Sequence, residues 1–193
     1  MVDWSPLSGN DHGGLCNHSP VNRDQRFLRD NPVHQRIEAG GGPRYPPVMD
    51  WQRDGYTISD DPARLDVDVI HGFLATAYWS SGIPRDVVER SIAGSLAFGL
   101  YAPDGRQVGF ARAITDRATF GWIADVFVLP EERGRGLGVW LMETVVAHPE
   151  LQGLRRMFLG TRDAHELYRK VGFAELPNPG RFMVRQGNPG YGP

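Results

Sequence analysis

Cysteine and lysine are almost missing from this sequence: Cys16 and Lys170 are the single examples of each in 193 residues. One thiol cannot build an intrachain disulfide framework, so nothing requires an oxidising compartment. No apolar run approaches the ~18 residues that cross a bilayer, and the opening Met1-Val2-Asp3-Trp4-Ser5-Pro6 has no apolar signal core. These absences predict a cytoplasmic protein with no membrane partner. A charge excess is also lacking, since 21 Lys+Arg face 23 Asp+Glu for a net of −2. A general nucleic-acid binder would concentrate its basic residues, so no nucleic-acid partner is expected. With so little lysine, almost every basic residue is arginine, a skew that reads as coding bias.

Several chemistries lack their residues. There is no G-x-S-x-G, and Cys16 lies in a Gly/Pro-rich stretch, which leaves nucleophilic catalysis unsupported. His12, Cys16 and His18 have no fourth ligand at zinc-type spacing, and His71, His148 and His165 stand isolated, so no metal site is expected.

Residues 1–48 hold 6 Gly and 6 Pro, and only 14 of the 48 are hydrophobic. Such a stretch buries too little apolar surface to offset its ordering entropy, which predicts a flexible segment ahead of a domain over 49–186 and a tail over 187–193. Because Met49 follows at once, translation starting there is one hypothesis; an intact native mass that includes residues 1–48 would exclude it.

From residue 49 the patterning is regular. Residues 55–59 read as a strand, and Val69, Ile70, Phe73, Leu74 and Ala77 recur at helical spacing. Val87, Val88, Ser91, Ile92 and Ser95 repeat that pattern after Pro84, which suits a first helical turn. Leu96–Tyr101 and Gln107–Thr115 flank Pro103-Asp104-Gly105, a hairpin signature, and residues 119–129 form a third apolar strand stopped by Pro130. A helix follows with Leu137, Trp140, Leu141, Thr144 and Val145 on one face, ended at His148 before Pro149. Residues 155–160 read as a strand. Asp163-Ala164-His165-Glu166 resembles a capping box opening a helix that stops at Gly172, and residues 173–176 and 181–185 read as closing strands. The expected architecture is a mixed α/β sheet with helices on its faces.

The chemistry concentrates after the third apolar strand. Gly134, Gly136 and Gly138 leave main-chain N–H groups uncovered at a helix start, where the macrodipole and unsatisfied donors favour a phosphate. Glu131, Glu132, Arg133 and Arg135 sum to zero charge, so main-chain donors must carry most of the attraction. A Walker loop would need Gly-Lys-Ser/Thr, and Lys170 is far away; the dinucleotide fingerprint would need a third glycine where Val139 stands.

What remains is Arg133-Gly134-Arg135-Gly136-Leu137-Gly138 after Val126-Phe127-Val128-Leu129-Pro130, together with Ala164, Tyr168, Gly172 and Phe173 in an A-x-x-x-Y-x-x-x-G-F run. This combination resembles the GCN5-related N-acetyltransferase (GNAT) superfamily over roughly residues 50–186. The resemblance implies a mostly antiparallel sheet with a splayed parallel strand pair that admits acetyl-CoA. It implies that main chain near Phe127 and Val128 pairs with the pantetheine arm, and that residues 133–138 hold the diphosphate, with Arg133, Gly134, Arg135, Gly136, Leu137 and Gly138 as cofactor-binding positions. It places Tyr168 near the thioester sulfur as a donor to the departing thiolate.

The acceptor would then be a primary amine of a small molecule or peptide, walled by Tyr78 and Trp79. An amine near pKa ~10.4 needs a base or desolvation to react at neutral pH. Asp125 or a water relay could serve, although strand alternation points Asp125 away from Val126 and Val128. Thr161 stands where the family often has Asn, which weakens the implied cofactor contact there. Family precedent leaves a homodimer open. The rival reading is a non-catalytic acyl-CoA-binding or sensing module, and a weaker one is a protein that takes some other phosphate-bearing molecule on the same loop.

Overall fold

The computed structural model describes residues 47–187 and 190–191. The flexible segment expected over 1–48 therefore falls almost wholly outside the described residues. Six strands form one sheet in sequence order: β1 (Asp50–Arg53), β2 (Tyr56–Ser59), β3 (Leu96–Tyr101), β4 (Gln107–Thr115), β5 (Phe120–Val128) and β6 (Arg156–Phe158). All neighbours are antiparallel except β5 and β6, which are parallel. Two helices, α1 (Val67–Leu74) and α2 (Arg85–Ala93), separate β2 from β3. Two more, α3 (Leu137–Ala147) and α4 (His165–Lys170), follow β5 and β6.

Helix positions follow from their ends. Asp66 caps α1, its carboxylate accepting from the amides of Asp68 and Val69 at 3.0 and 3.1 Å. Its own amide donates to the buried Gln107 side chain at 2.7 Å, which ties α1 to β4. Pro84 proves to be the N-cap of α2, one position ahead of the expected first turn.

The sheet is covered on both faces. Phe98, Leu100, Ala111, Ala113 and Ile123 meet Leu141, Met142 and Val145 of α3 on one face. Ala97, Phe110 and Phe127 meet Ile70 and Leu74 of α1 and Val88 of α2 on the other. Leu141, Met142 and Val145 are completely buried, and each stabilises the fold by roughly 1.5–3 kcal/mol.

Three expectations need correction. β1 is a strand although Asp-Trp-Gln-Arg carries no apolar alternation; the adjacent Asp54-Gly55, both with positive φ, turn it onto β2 as a tight hairpin. Residues 173–176 and 181–185 are not strands. Pro177 and Pro179 remove two main-chain donors in the linker, which closes into a 3-10 turn at Pro179–Arg181 and leaves Met183 and Val184 exposed. The capping box also fails, because Asp163 faces Arg162 at 3.6 Å, and the Thr161 hydroxyl instead accepts from the Ala164 amide at 3.0 Å.

Candidate active site

Along its β4 edge, β5 is paired as far as Val128, whereas β6 joins it at only three positions: Phe120 with Arg156, Gly121 with Met157 and Trp122 with Phe158. Beyond Trp122 the parallel strands part. The Leu129 amide donates to Val108 O at 2.8 Å, and Phe127 O lies 2.8 Å from where a Cβ on Gly109 would stand, so both groups face β4. By alternation the main-chain groups of Val126 and Val128 face the parting. Val126 is thus a gap-facing residue the sequence reading overlooked. Phe127 contributes differently from the expectation: its ring stacks on Phe73 at 4.0 Å and its carbonyl points into the sheet.

A cavity of about 620 Å³ opens at the parting. Its walls are β5, the glycine loop and α4, with Tyr78 and Trp79 at one side. The loop is shaped by positive φ at Gly134 (79°) and Gly136 (76°), a region L side chains enter at a cost. Gly136 is the N-cap of α3, and no side chain bonds there. Among the described residues the amides from Gly134 to Val139 have no protein acceptor; the first paired one is Trp140, to Gly136 O at 3.1 Å. Gly138 has a separate reason to lack a side chain, since its Cβ would come within 3.1 Å of Leu167 in α4. Bare amides, a cavity and a positive helix end fit an anionic ligand.

The arginines of the loop also bond within the protein. Arg133 Nε donates to Val128 O at 2.9 Å, fastening the loop to the end of β5. Arg135 lies 3.5 Å from the Glu132 carboxylate and donates to the Tyr56 hydroxyl at 3.2 Å. Tyr56 in turn donates to Glu132 at 2.7 Å, and both are buried. This cluster anchors the loop to β2; the sequence counts Glu132 only in the loop's charge balance and gives Tyr56 no site role, because their partnership spans distant segments.

Tyr168 lines the cavity and packs edge-on against Phe173 at 6.0 Å. Burial pushes its phenol up to about 12, with Tyr78 and Asp163 adding to the effect. The hydroxyl is therefore neutral at ordinary pH and available as a donor.

Asp125 sits in a β-bulge: Phe110 faces Phe127 but Arg112 faces Ala124, leaving an extra residue in β5, and Asp125 takes φ of 54°. The bulge breaks the alternation from which its direction was expected. Its Oδ2 accepts from Arg112 Nε at 2.6 Å and its Oδ1 from Trp79 Nε1 at 3.3 Å. Tyr78 reaches the opposite wall, its hydroxyl accepting from the Arg162 amide at 3.2 Å while the Arg162 guanidinium lies 3.7 Å from the ring centroid. The structure therefore brings Tyr78, Trp79, Tyr168 and the loop around one cavity, with Asp125 behind Trp79.

The family model for the acetyltransferase (GNAT) family matches residues 47–173, the whole sheet and the site. This chain belongs to the GNAT family. A GNAT-assigned structure from Xanthomonas campestris pv. campestris is 49% identical, covering 68% of this chain and 93% of that one with a TM-score of 0.66. A protein from Gibberella zeae assigned as an acetyltransferase is 35% identical over 144 residues, 63% of this chain and 80% of its own length. A GNAT acetyltransferase from Elizabethkingia anophelis, solved with acetyl-CoA bound, shares the fold at a TM-score of 0.50 and 16% identity, over 63% of this chain and 78% of that one. Among the described residues of this GNAT chain no helix is long and apolar enough to cross a membrane.

Proposed function

We propose that the protein is an acetyl-CoA-dependent N-acetyltransferase that moves the acetyl group to a primary amine of a small-molecule or peptide acceptor by direct attack. The observation that carries this reading is the parting of β5 from β6 beside a loop of unpaired amides. When bound, acetyl-CoA supplies an activated thioester whose C–S bond breaks as the amine forms a C–N bond.

The residues fit that donor at both ends. Amides of Gly134 to Val139 would hold its diphosphate, and the gap-facing groups of Val126 together with the Val128 amide would pair with the pantetheine arm. A β5 amide would also stabilise the negative charge that develops on the thioester oxygen. Tyr168 would donate a hydrogen bond to the departing sulfur. Its phenol near about 12 keeps its proton against a thiol of ~8.5, so it stabilises the thiolate without full transfer.

Asp125 has both oxygens engaged, which supports a positioning role over proton abstraction. The amine's proton would then leave through water, helped by the desolvating rings of Phe73, Tyr78 and Trp79. The same engaged carboxylate is the observation that favours the rival reading, a module that binds acyl-CoA without transferring it. Calorimetry with acetyl-CoA, followed by thiol release across a panel of primary amines, tests both. Micromolar binding with amine-dependent thiol release is expected; binding with a flat thiol signal favours the module, and absent binding removes both.

A further inference from the structure

We infer that Arg53, on β1, binds phosphate oxygens of the donor at the mouth of the glycine loop. This rests on the acetyl-CoA reading above. The argument begins with a shortage of positive charge. A helix end supplies only about half an elementary charge, whereas a CoA donor brings a diphosphate and a 3′-phosphate. Of the loop's own arginines, Arg135 is held by Glu132 and Tyr56, and Arg133 spends its Nε on Val128 O, so Arg53 would add to what the rest of the Arg133 guanidinium supplies.

Arg53 approaches the same point from the other side of the loop. Its Nη2 lies 3.4 Å from where a Cβ on Gly136 would stand, at the N-cap of α3. Its guanidinium carbon is 5.2 Å from the centroid of the Trp140 ring, which steadies the side chain from α3. The nearest carboxylates, Glu143 at 3.9 Å and Asp54 at 4.0 Å, are beyond hydrogen-bond distance, and the side chain is 41% exposed. The result is a positioned cation, held in two long ion pairs, whose Nη2 stands beside the N-cap glycine of α3. A tight β1–β2 hairpin at Asp54-Gly55 fixes where the strand presents it.

Calorimetry on the full chain, comparing wild type, Arg53→Gln and Arg53→Lys, tests the assignment with acetyl-CoA, acetyl-dephospho-CoA and S-acetylpantetheine. Arg53→Gln should weaken acetyl-CoA by about ten-fold and leave S-acetylpantetheine unchanged, with Arg53→Lys in between. A loss confined to acetyl-CoA assigns the contact to the 3′-phosphate, and a loss shared with acetyl-dephospho-CoA assigns it to the diphosphate. Glu143→Gln removes the neighbouring carboxylate and should not weaken any of the three. Equal weakening of all donors by Arg53→Gln, or none, overturns the assignment and leaves a strand-to-helix contact. If the wild type shows no preference for acetyl-CoA over S-acetylpantetheine, the acetyl-CoA reading fails first and the assignment with it.

Discussion

Arg112 Nε donates to Asp125 Oδ2 across 2.6 Å, joining β4 to the bulge of β5 with side chains only 14% and 10% exposed. Arg112 also reaches Ser95 at 3.1 Å, and Ser95 donates to Ser91 O at 2.7 Å, so α2, β4, β5 and Trp79 share one polar chain. The bulge in β5 is thus braced by an ion pair in addition to the ladder pairs that flank it.

Removing that carboxylate should be costly. Asp125→Ala leaves the Arg112 charge with only the Ser95 hydroxyl and puts a Cβ-bearing residue without a local acceptor at φ of 54°, and a loss of roughly 3–5 kcal/mol is expected from urea unfolding. Asn tolerates that backbone and keeps an acceptor, so Asp125→Asn should lose less than half as much. Its turnover should stay within about ten-fold of wild type; a fall beyond about a hundred-fold would make Asp125 the general base.

Tyr168→Phe removes the donor and keeps the ring against Phe173. The expected result is kcat lowered about ten- to a hundred-fold with donor affinity unchanged, measured by thiol release and calorimetry. Since the phenol is pushed up to about 12, no basic limb from Tyr168 should appear in the rate profile below about pH 11. Unchanged turnover in the variant would reduce Tyr168 to packing.

Glycine substitutions separate conformation from ligand contact. Nothing lies within 4 Å of a Cβ at Gly134, so Gly134→Ala should cost only the strain of its positive φ, about 1 kcal/mol. Gly136→Asp adds a carboxylate beside the bare amides and should abolish acetyl-CoA binding in a folded protein. Retained binding would move the phosphates elsewhere.

Tyr101 offers a test at high pH. Its buried hydroxyl has no partner among the described residues, and burial pushes it up to about 12, with Arg64 opposing. Between pH ~10, where unfolded phenols ionise, and about 12, the native state holds more protons than the unfolded one. Stability should therefore fall as pH rises through that window. Tyr101→Phe should shrink the fall and be neutral or stabilising by up to about 1 kcal/mol at pH 7, seen by thermal unfolding. A clear destabilisation would mean that the hydroxyl has a water partner.

His148 is fully buried, its Nδ1 accepting from the Glu150 amide at 3.2 Å and its Nε2 donating to Asp60 at 3.0 Å. Asp60 also accepts from the Met49 amide at 2.6 Å. His148→Ala should destabilise by roughly 3 kcal/mol or more, through a cavity and a carboxylate deprived of a donor. A loss under 1 kcal/mol in urea titration would assign the pair no structural weight.

Local chemistry was legible in the sequence, and distant partnerships were not. The alternating glycines announced a loop of bare amides at a helix start because glycine's freedom and the helix end act within a few residues. Most strands and helices could be read from their periodicity for the same reason. His148 looked isolated because Asp60 lies 88 residues away, and nothing near Arg135 pointed to Tyr56, 79 residues away. β1 was hidden because an edge strand with exposed side chains shows no apolar alternation. The bulge at Asp125 was invisible because an inserted residue leaves no compositional trace.

Tyr78 and Trp79 grip opposite banks of the cavity through side chains alone, one at Arg162 and the other at Asp125. No rung of the sheet passes through them. If the proposed function holds, exchanging a few bulky rings in this short connector would reshape the acceptor side while leaving untouched the cleft built from backbone.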